Sequence, residues 1–141
     1  MTITGAHVEL LRRVPLFAAM TDAAYDHIAG LTESIAVPAG ETVVEQGDEG
    51  DAFYVIVSGS ADVRQADRSI ASLAPGDFFG EIALIDGKPR SATVLAIDDL
   101  VLLRVLRAPF LRLLEEQPAT RHAILTALTQ RIRNDAPHPT D

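Results

Sequence analysis

The sequence predicts a mainly β fold with flanking helices: an eight-stranded β-roll or jelly roll, with N-terminal helices before it and two C-terminal helices after it. Three observations carry this. Between residues 32 and 106 the chain breaks into short apolar runs separated by glycine-containing gaps, the texture of a closely turned all-β unit. Before and after that stretch, apolar residues recur at helical spacing. Inside it, Pro38-Ala39-Gly40 and Pro75-Gly76-Asp77 are strong turn signals.

Residues 6–13 form a short amphipathic helix with Val8, Leu10 and Leu11 inward, broken at Val14-Pro15-Leu16-Phe17. Leu16-Phe17 reads either as a movable helical unit that responds to a ligand or as simple packing against the barrel. Thr21-Asp22 then offers an N-cap, and Ala24, Ile28 and Leu31 share a helical face that Gly30 weakens near its end. Strands are expected at 34–37, 42–45, 52–57, 61–65, 69–73, 78–79, 91–97 and 100–106. Phe53-Tyr54-Val55-Ile56-Val57 is apolar throughout, as a strand covered on both faces would be. Residues 81–85 make about one helical turn, which Asp86-Gly87 ends, and Pro89 holds Lys88 extended.

After Arg107 the helical period returns. Pro109 suits a first turn, Phe110, Leu113 and Leu114 form one face, and Pro118 marks the end. A second helix over 119–134 has Ile124, Leu125, Leu128 and Ile132 inward. The proline-rich polar stretch 135–141 is expected to be a disordered tail. Residues 1–134 thus read as one domain, with N-terminal helices over 1–31, the β-roll over 32–106 and C-terminal helices over 107–134.

Composition narrows the function. At 141 residues the chain can bury one core but not a second folded unit. It has no cysteine, which leaves no disulfide framework and no cysteine-based zinc site. No run of 18 apolar residues and no basic start followed by an apolar core is present, so the expectation is a cytoplasmic protein with no membrane partner. The net charge of −8 disfavours nucleic acid as a partner, because a general binder needs a basic surface to displace counterions. One bound nucleotide needs only one cation. Of 12 basic residues only Lys88 is a lysine, an arginine-rich habit that fits a GC-rich bacterial genome.

The chemistry concentrates in residues 78–94. Gly80 permits close approach to the backbone, and the helical turn after it presents N–H groups to a small anion. Arg90 supplies a guanidinium whose fork matches two phosphate oxygens. Glu81 supplies an acceptor suited to a sugar hydroxyl. Together these describe a compact site for a phosphorylated sugar. The alternative is structural: Glu81 favouring the helix start and pairing with Arg90.

Phe79-Gly80-Glu81-Ile82-Ala83-Leu84 followed by Pro89-Arg90-Ser91-Ala92-Thr93-Val94 resembles the phosphate-binding cassette of cyclic nucleotide-binding domains, whose form is F-G-E-[LI]-A-L, a short gap, then P-R-[AST]-A-[TS]-V. That family includes the bacterial catabolite activator, the regulatory subunit of protein kinase A and cyclic nucleotide-gated channels. Pro38-x-Gly40, Gly47, Val57-x-Gly59 and Val63 fit it too, and the resemblance covers residues 8–134. It implies that Gly80 and the amides of Ile82 and Ala83 face the cyclic phosphate, with Phe79 leading into the turn. Glu81 would take the ribose 2′-hydroxyl, Arg90 the phosphate, and Ser91 and Ala92 the far side. Channel members cover the base with an arginine of the last helix, and Arg131 falls at that distance beyond Arg90; the alternative is that Arg131, continuing the apolar stripe, snorkels past the helix end. Members that favour cGMP often carry Thr directly after the cassette Arg. Ser91 stands there instead, so the expected ligand is cAMP rather than cGMP, with no cofactor.

The resemblance implies a regulatory or sensor domain that is not an enzyme and that moves its C-terminal helices on binding. Those helices are the expected surface for a protein partner or a second copy of the chain. Alternatives are a degenerate β-roll that has lost its ligand, or a sensor fragment of a larger transcription factor, channel or enzyme. No recognition helix for DNA is expected within residues 135–141. A cupin-type metal enzyme would need histidines in the barrel, and His7, His27, His122 and His138 all lie outside it. No Ser-His-Asp or Cys-His set can be assembled either.

Overall fold

The computed structural model describes residues 5–14, 17, 20–80 and 83–134, without the side chains of 5, 6, 85, 127, 128 and 130–134. Two helices, α1 (Gly5–Arg12) and α2 (Asp22–Leu31), precede eight strands. These are β1 (Thr32–Val37), β2 (Thr42–Val44), β3 (Ala52–Ser58), β4 (Ala61–Gln65), β5 (Arg68–Leu73), β6 (Phe78–Phe79), β7 (Thr93–Ala96) and β8 (Leu100–Leu106). A single turn, α3 (Ala83–Asp86), sits between β6 and β7, and α4 (Arg107–Glu116) and α5 (Pro118–Asn134) follow β8. Residues 135–141, expected as a tail, lie outside the described residues.

The strands form two antiparallel four-stranded sheets, in the orders β1-β8-β3-β6 and β2-β7-β4-β5. This is the predicted β-roll. Period-two alternation along β3 explains how it is held. Tyr54 and Ile56 point between the sheets, into a cluster with Val63, Phe79, Val94 and Leu102. Phe53 and Val55 point the other way, into a second cluster with Leu11, Phe17, Ile28, Leu84, Phe110 and Ile124. The apolar run at 53–57 is therefore the wall between two cores. The ring of Phe17 meets Phe53 edge-on at 5.5 Å and Phe110 at 6.2 Å, which packs it against β3 and α4. Leu16 lies outside the described residues.

Caps and turns follow the sequence. The Thr21 hydroxyl accepts from the Ala24 N–H at 3.2 Å, satisfying one of the orphan donors of α2. Tyr25, unremarked in the sequence, is buried on α2 with its hydroxyl donating to the Phe17 carbonyl. Pro118 opens α5 rather than preceding it, since proline's missing N–H costs nothing at a first helical position.

Other expectations need correction. Leu125 was expected inward on α5 but is 52% exposed, while Ile124 is fully buried. Neighbours on a helix are about 100° apart, and α5 turns the Ile124 side to the core. The strand expected from 91 begins at Thr93, because its ladder partner β4 turns away just past Gln65. That turn is tight: Gln65 pairs with Arg68, and Ala66 and Asp67 both adopt positive φ, 48° and 67°. Finally, β2 stops at Val44, where the Glu45 N–H leaves the ladder for the Asp48 carboxylate at 3.1 Å.

Candidate functional site

The site is built where β6 runs into α3. Phe79 ends β6 with its ring in the inter-sheet core, stacked on Tyr54 at 4.8 Å. Gly80 follows with φ of +81°. A Cβ at this position would overlap Nη1 of Arg90 and lie 2.9 Å from the Ala52 carbonyl oxygen. Only glycine allows the chain to turn here with a guanidinium against it. The Ala83 N–H donates to the Gly80 carbonyl at 3.1 Å, and Leu84 is buried in the helix-side core, which fixes α3. The Gly87 N–H closes the turn on the Ala83 carbonyl at 3.0 Å.

Arg90 comes back onto this turn from the far side of the gap. Its backbone is bracketed by one loop: its N–H donates to the Asp48 carbonyl at 2.7 Å, and its carbonyl accepts from the Gly47 N–H at 2.9 Å. The side chain is 5% exposed. Nη2 donates to the Ala52 carbonyl, and Cζ lies 5.9 Å from the centroid of the Tyr54 ring. Nε and Nη1 are buried with no hydrogen-bond partner among the described residues. No ion-pair partner for this guanidinium is present among them either.

A buried cation left in this condition is unusual, because burying a charge without a partner is costly. Burial pulls the Arg90 pKa below its ordinary value, while Tyr54, Asp51 and Asp48 push it back up. The phenol of Tyr54 is shifted upward by its own burial, partly offset by Arg90 and Arg104. The arrangement is a fixed, partly desolvated positive charge with two free donors beside a glycine turn. Chemically, it can hold a small anion.

Of the residues expected at the site, Phe79, Gly80, Ala83, Arg90, Ser91 and Ala92 are described. Gly80 touches Arg90, and Ala92 shares the inter-sheet core with Phe79 and Tyr54. Ala83 is buried against the loop at Gly50, and Ser91 is half-buried directly after Arg90. Glu81 and Ile82 lie outside the described residues, as does the side chain of Arg131 on α5. Sequence reasoning missed Tyr54, the Ala52 carbonyl and the 47–48 bracket. A tyrosine within an aliphatic strand was the available signal, since a buried phenol needs a polar neighbour.

The cassette also reaches the C-terminal helices. The Arg107 N–H at the start of α4 donates to the Asp51 carbonyl at 2.8 Å. Its guanidinium lies so close to Gly87 that a Cβ there would be 2.9 Å from Cζ. Between these groups opens a cleft of about 410 Å³, bordered by Glu49, Asp51, Gly87, Arg107 and Pro109.

A family model described as the cyclic nucleotide-binding domain matches residues 34–117. The chain is 42% identical over 106 residues to a cAMP-dependent protein kinase regulatory subunit of Aspergillus fumigatus, covering 74% of this chain and 26% of that one. It is 38% identical to a cyclic nucleotide-gated potassium channel of Rhizobium etli, over 87% of this chain and 35% of the channel. The chain thus spans about a quarter to a third of the length of these two relatives. Among solved structures, the N-terminal domain of a transcriptional regulator from Streptomyces coelicolor superposes with a TM-score of 0.82 at 30% identity, over 89% of this chain and 92% of the other.

Proposed function

This chain belongs to the cyclic nucleotide-binding domain family, and from that premise we propose that it binds cAMP in preference to cGMP at the turn between β6 and α3. The observation that carries the reading is the buried Arg90 guanidinium with two unpartnered donors, held against Gly80. A cyclic phosphate is singly charged, and two of its oxygens can accept from those donors as charge-assisted hydrogen bonds. The family supports the rest: Glu81 as acceptor of the ribose 2′-hydroxyl, the amides of Ile82 and Ala83 at the phosphate, and Arg131 over the base. Preference for cAMP rests on Ser91 in the place where a threonine would serve guanine, and on the kinase regulatory subunit among the relatives.

In this reading residues 1–134 work as one non-catalytic sensing unit. The signal passes from the cassette to α4 through the contacts of Arg107 with Asp51 and Gly87. A ligand shifts the C-terminal helices only by the difference in its affinity for their two positions. The relatives include a kinase subunit, a channel and a transcriptional regulator, so the same sensing unit is joined to different outputs. Calorimetric titration with cAMP and cGMP tests the ligand. Saturable binding of cAMP is expected, tighter than cGMP, and no heat and no thermal shift with either would overturn it.

A further inference from the structure

We propose that Gln46 and Gln65, neither of them in the cassette, are positioning residues that hold the Arg90–Ser91 segment in place for the nucleotide. The inference rests on the ligand reading above and deepens it. It starts from the bracket on Arg90. Gly47 and Asp48 fix its backbone from both sides, so the arginine is only as steady as the loop that carries them.

That loop is fastened by side chains. The Gln46 N–H donates to the Thr93 hydroxyl at 2.9 Å, tying the loop to the strand that leaves the cassette. The Gln46 Oε1 accepts from the Ala66 N–H at 3.1 Å, tying the loop to the β4–β5 turn. From the same turn, the Gln65 Nε2 donates to the Ser91 carbonyl at 3.0 Å. The three bonds bridge 47, 20 and 26 residues of chain. They close a ring around the residues that follow Arg90: loop to strand, loop to turn, turn back to strand.

All three bonds are exposed to solvent, and two features mark the ring as built. Ser91 and Ala92 precede β7, and the Gln65 amide reaches across from the β4–β5 turn to give the carbonyl of Ser91 a donor. The turn that carries Gln65 places Ala66 at φ of 48°, in the region that favours glycine, and such a conformation persists only where its surroundings over-determine it. The Gln46 bond to the Ala66 N–H is one of the constraints that does so. The two glutamines have opposite tasks. Gln46 must accept from Ala66, whereas Gln65 must donate to Ser91.

The test uses the full chain and the variants Gln46→Met and Gln65→Met, which keep side-chain length and remove the polar contact, together with Gln65→Lys, which keeps a donor. Two quantities are read: the dissociation rate of cAMP, and the backbone amide exchange of Gly47 and Arg90 in the protein alone. Each Met variant should release cAMP about 3–10-fold faster with little change in association, the loss expected for one hydrogen bond. Exchange at Gly47 and Arg90 should rise by a similar factor, while the thermal midpoint falls by no more than about 5 °C, the scale of one hydrogen bond. Because either change opens the ring, the double variant should lose less than the product of the singles. Gln65→Lys should stay within about twofold of the parent, since a donor is all that position needs. Release rates of both Met variants within twofold of the parent overturn the inference even if exchange rises, and so does a Gln65→Lys variant as impaired as Gln65→Met. If the parent itself binds no cyclic nucleotide, the ligand reading fails separately. Exchange then decides the ring alone, and unchanged protection at Gly47 and Arg90 overturns it.

Discussion

Arg90 is held by three different kinds of group: a carbonyl at its tip, an aromatic ring alongside and a glycine beneath. Replacing it with alanine should weaken cAMP binding by about 3–5 kcal/mol, the cost of breaking a buried charge pair by removing one partner. Calorimetry measures this, and a variant that binds within threefold of the parent would make the arginine structural. Its place in the cassette was readable in the sequence, because the pattern is one of residue types at fixed spacing. The donors and acceptors around it were not readable. Ala52 and Asp48 contribute only backbone carbonyls, and no side-chain identity announces which carbonyl a fold will aim at a guanidinium. Asp62 makes a separate, testable contribution. It is buried on β4 and accepts from the Ser69 hydroxyl at 2.5 Å and from Arg64 Nε at 2.7 Å. The Ser69 bond first, then the Arg64 bond, hold its carboxyl below the usual aspartate pKa. A carboxyl with a depressed folded-state pKa stabilises the protein above its unfolded-state pKa, and that stabilisation is lost as pH falls through the folded-state value. Asp62→Asn should therefore flatten the acid limb of the stability–pH curve below about pH 4. Urea unfolding between pH 2 and pH 7 reads it, and an unchanged limb would exclude Asp62 from acid sensitivity.

The elements themselves were largely legible, since strands of this length announce themselves by apolar runs between turn residues. β4 ends at Gln65 as expected, but the turn after it was not legible as a two-residue connection. Such turns ordinarily advertise themselves with asparagine or glycine, and Ala66-Asp67 carries neither. Ala66→Gly should accordingly stabilise the protein by about 0.5–1 kcal/mol, the relief of an alanine at positive φ less the entropy glycine adds to the unfolded chain. A rise of about 2–4 °C in thermal midpoint per kcal/mol is the scale to look for in a chain of this size. A lower midpoint would mean that the alanine methyl packs favourably there. On α5 the periodicity was too generous in the other direction. Both Ile124 and Leu125 fit the apolar pattern, and the contact between α5 and the core decided for Ile124.

Taken together, the helices at both ends of the chain pack on one sheet, while the candidate site opens from the interior of the roll. α1, α2, α4 and Ile124 of α5 contribute to a single helix-side core with Leu84 of α3. Leu84 therefore joins the cassette to the helices by packing, and the Arg107 guanidinium of α4 lies beside Gly87 at its end. Saturating cAMP should change amide exchange in α4 and residues 118–126 of α5 more than in the paired strands β1 and β8. Equal changes throughout would mean general stabilisation by mass action rather than a signal directed to the helices. This linkage was only partly visible in the sequence. Leu84 belongs to the cassette pattern, but the approach of Arg107 to Gly87 depends on how two distant turns meet.

Because β3 is a single ribbon lining two interiors, the protein has little freedom to change its length there. Deleting one residue from this strand would exchange every odd position for an even one. Phe53 would move into the space of Tyr54, leaving Arg90 without its phenol, and Tyr54 would be driven among the helices, against Phe17 and the side chain of Phe110. Binding and helix packing would fail at the same stroke. Insertions and deletions are therefore confined to the loops at either end of β3, and adjustment of one interior must proceed by exchanging side chains one at a time on a fixed register.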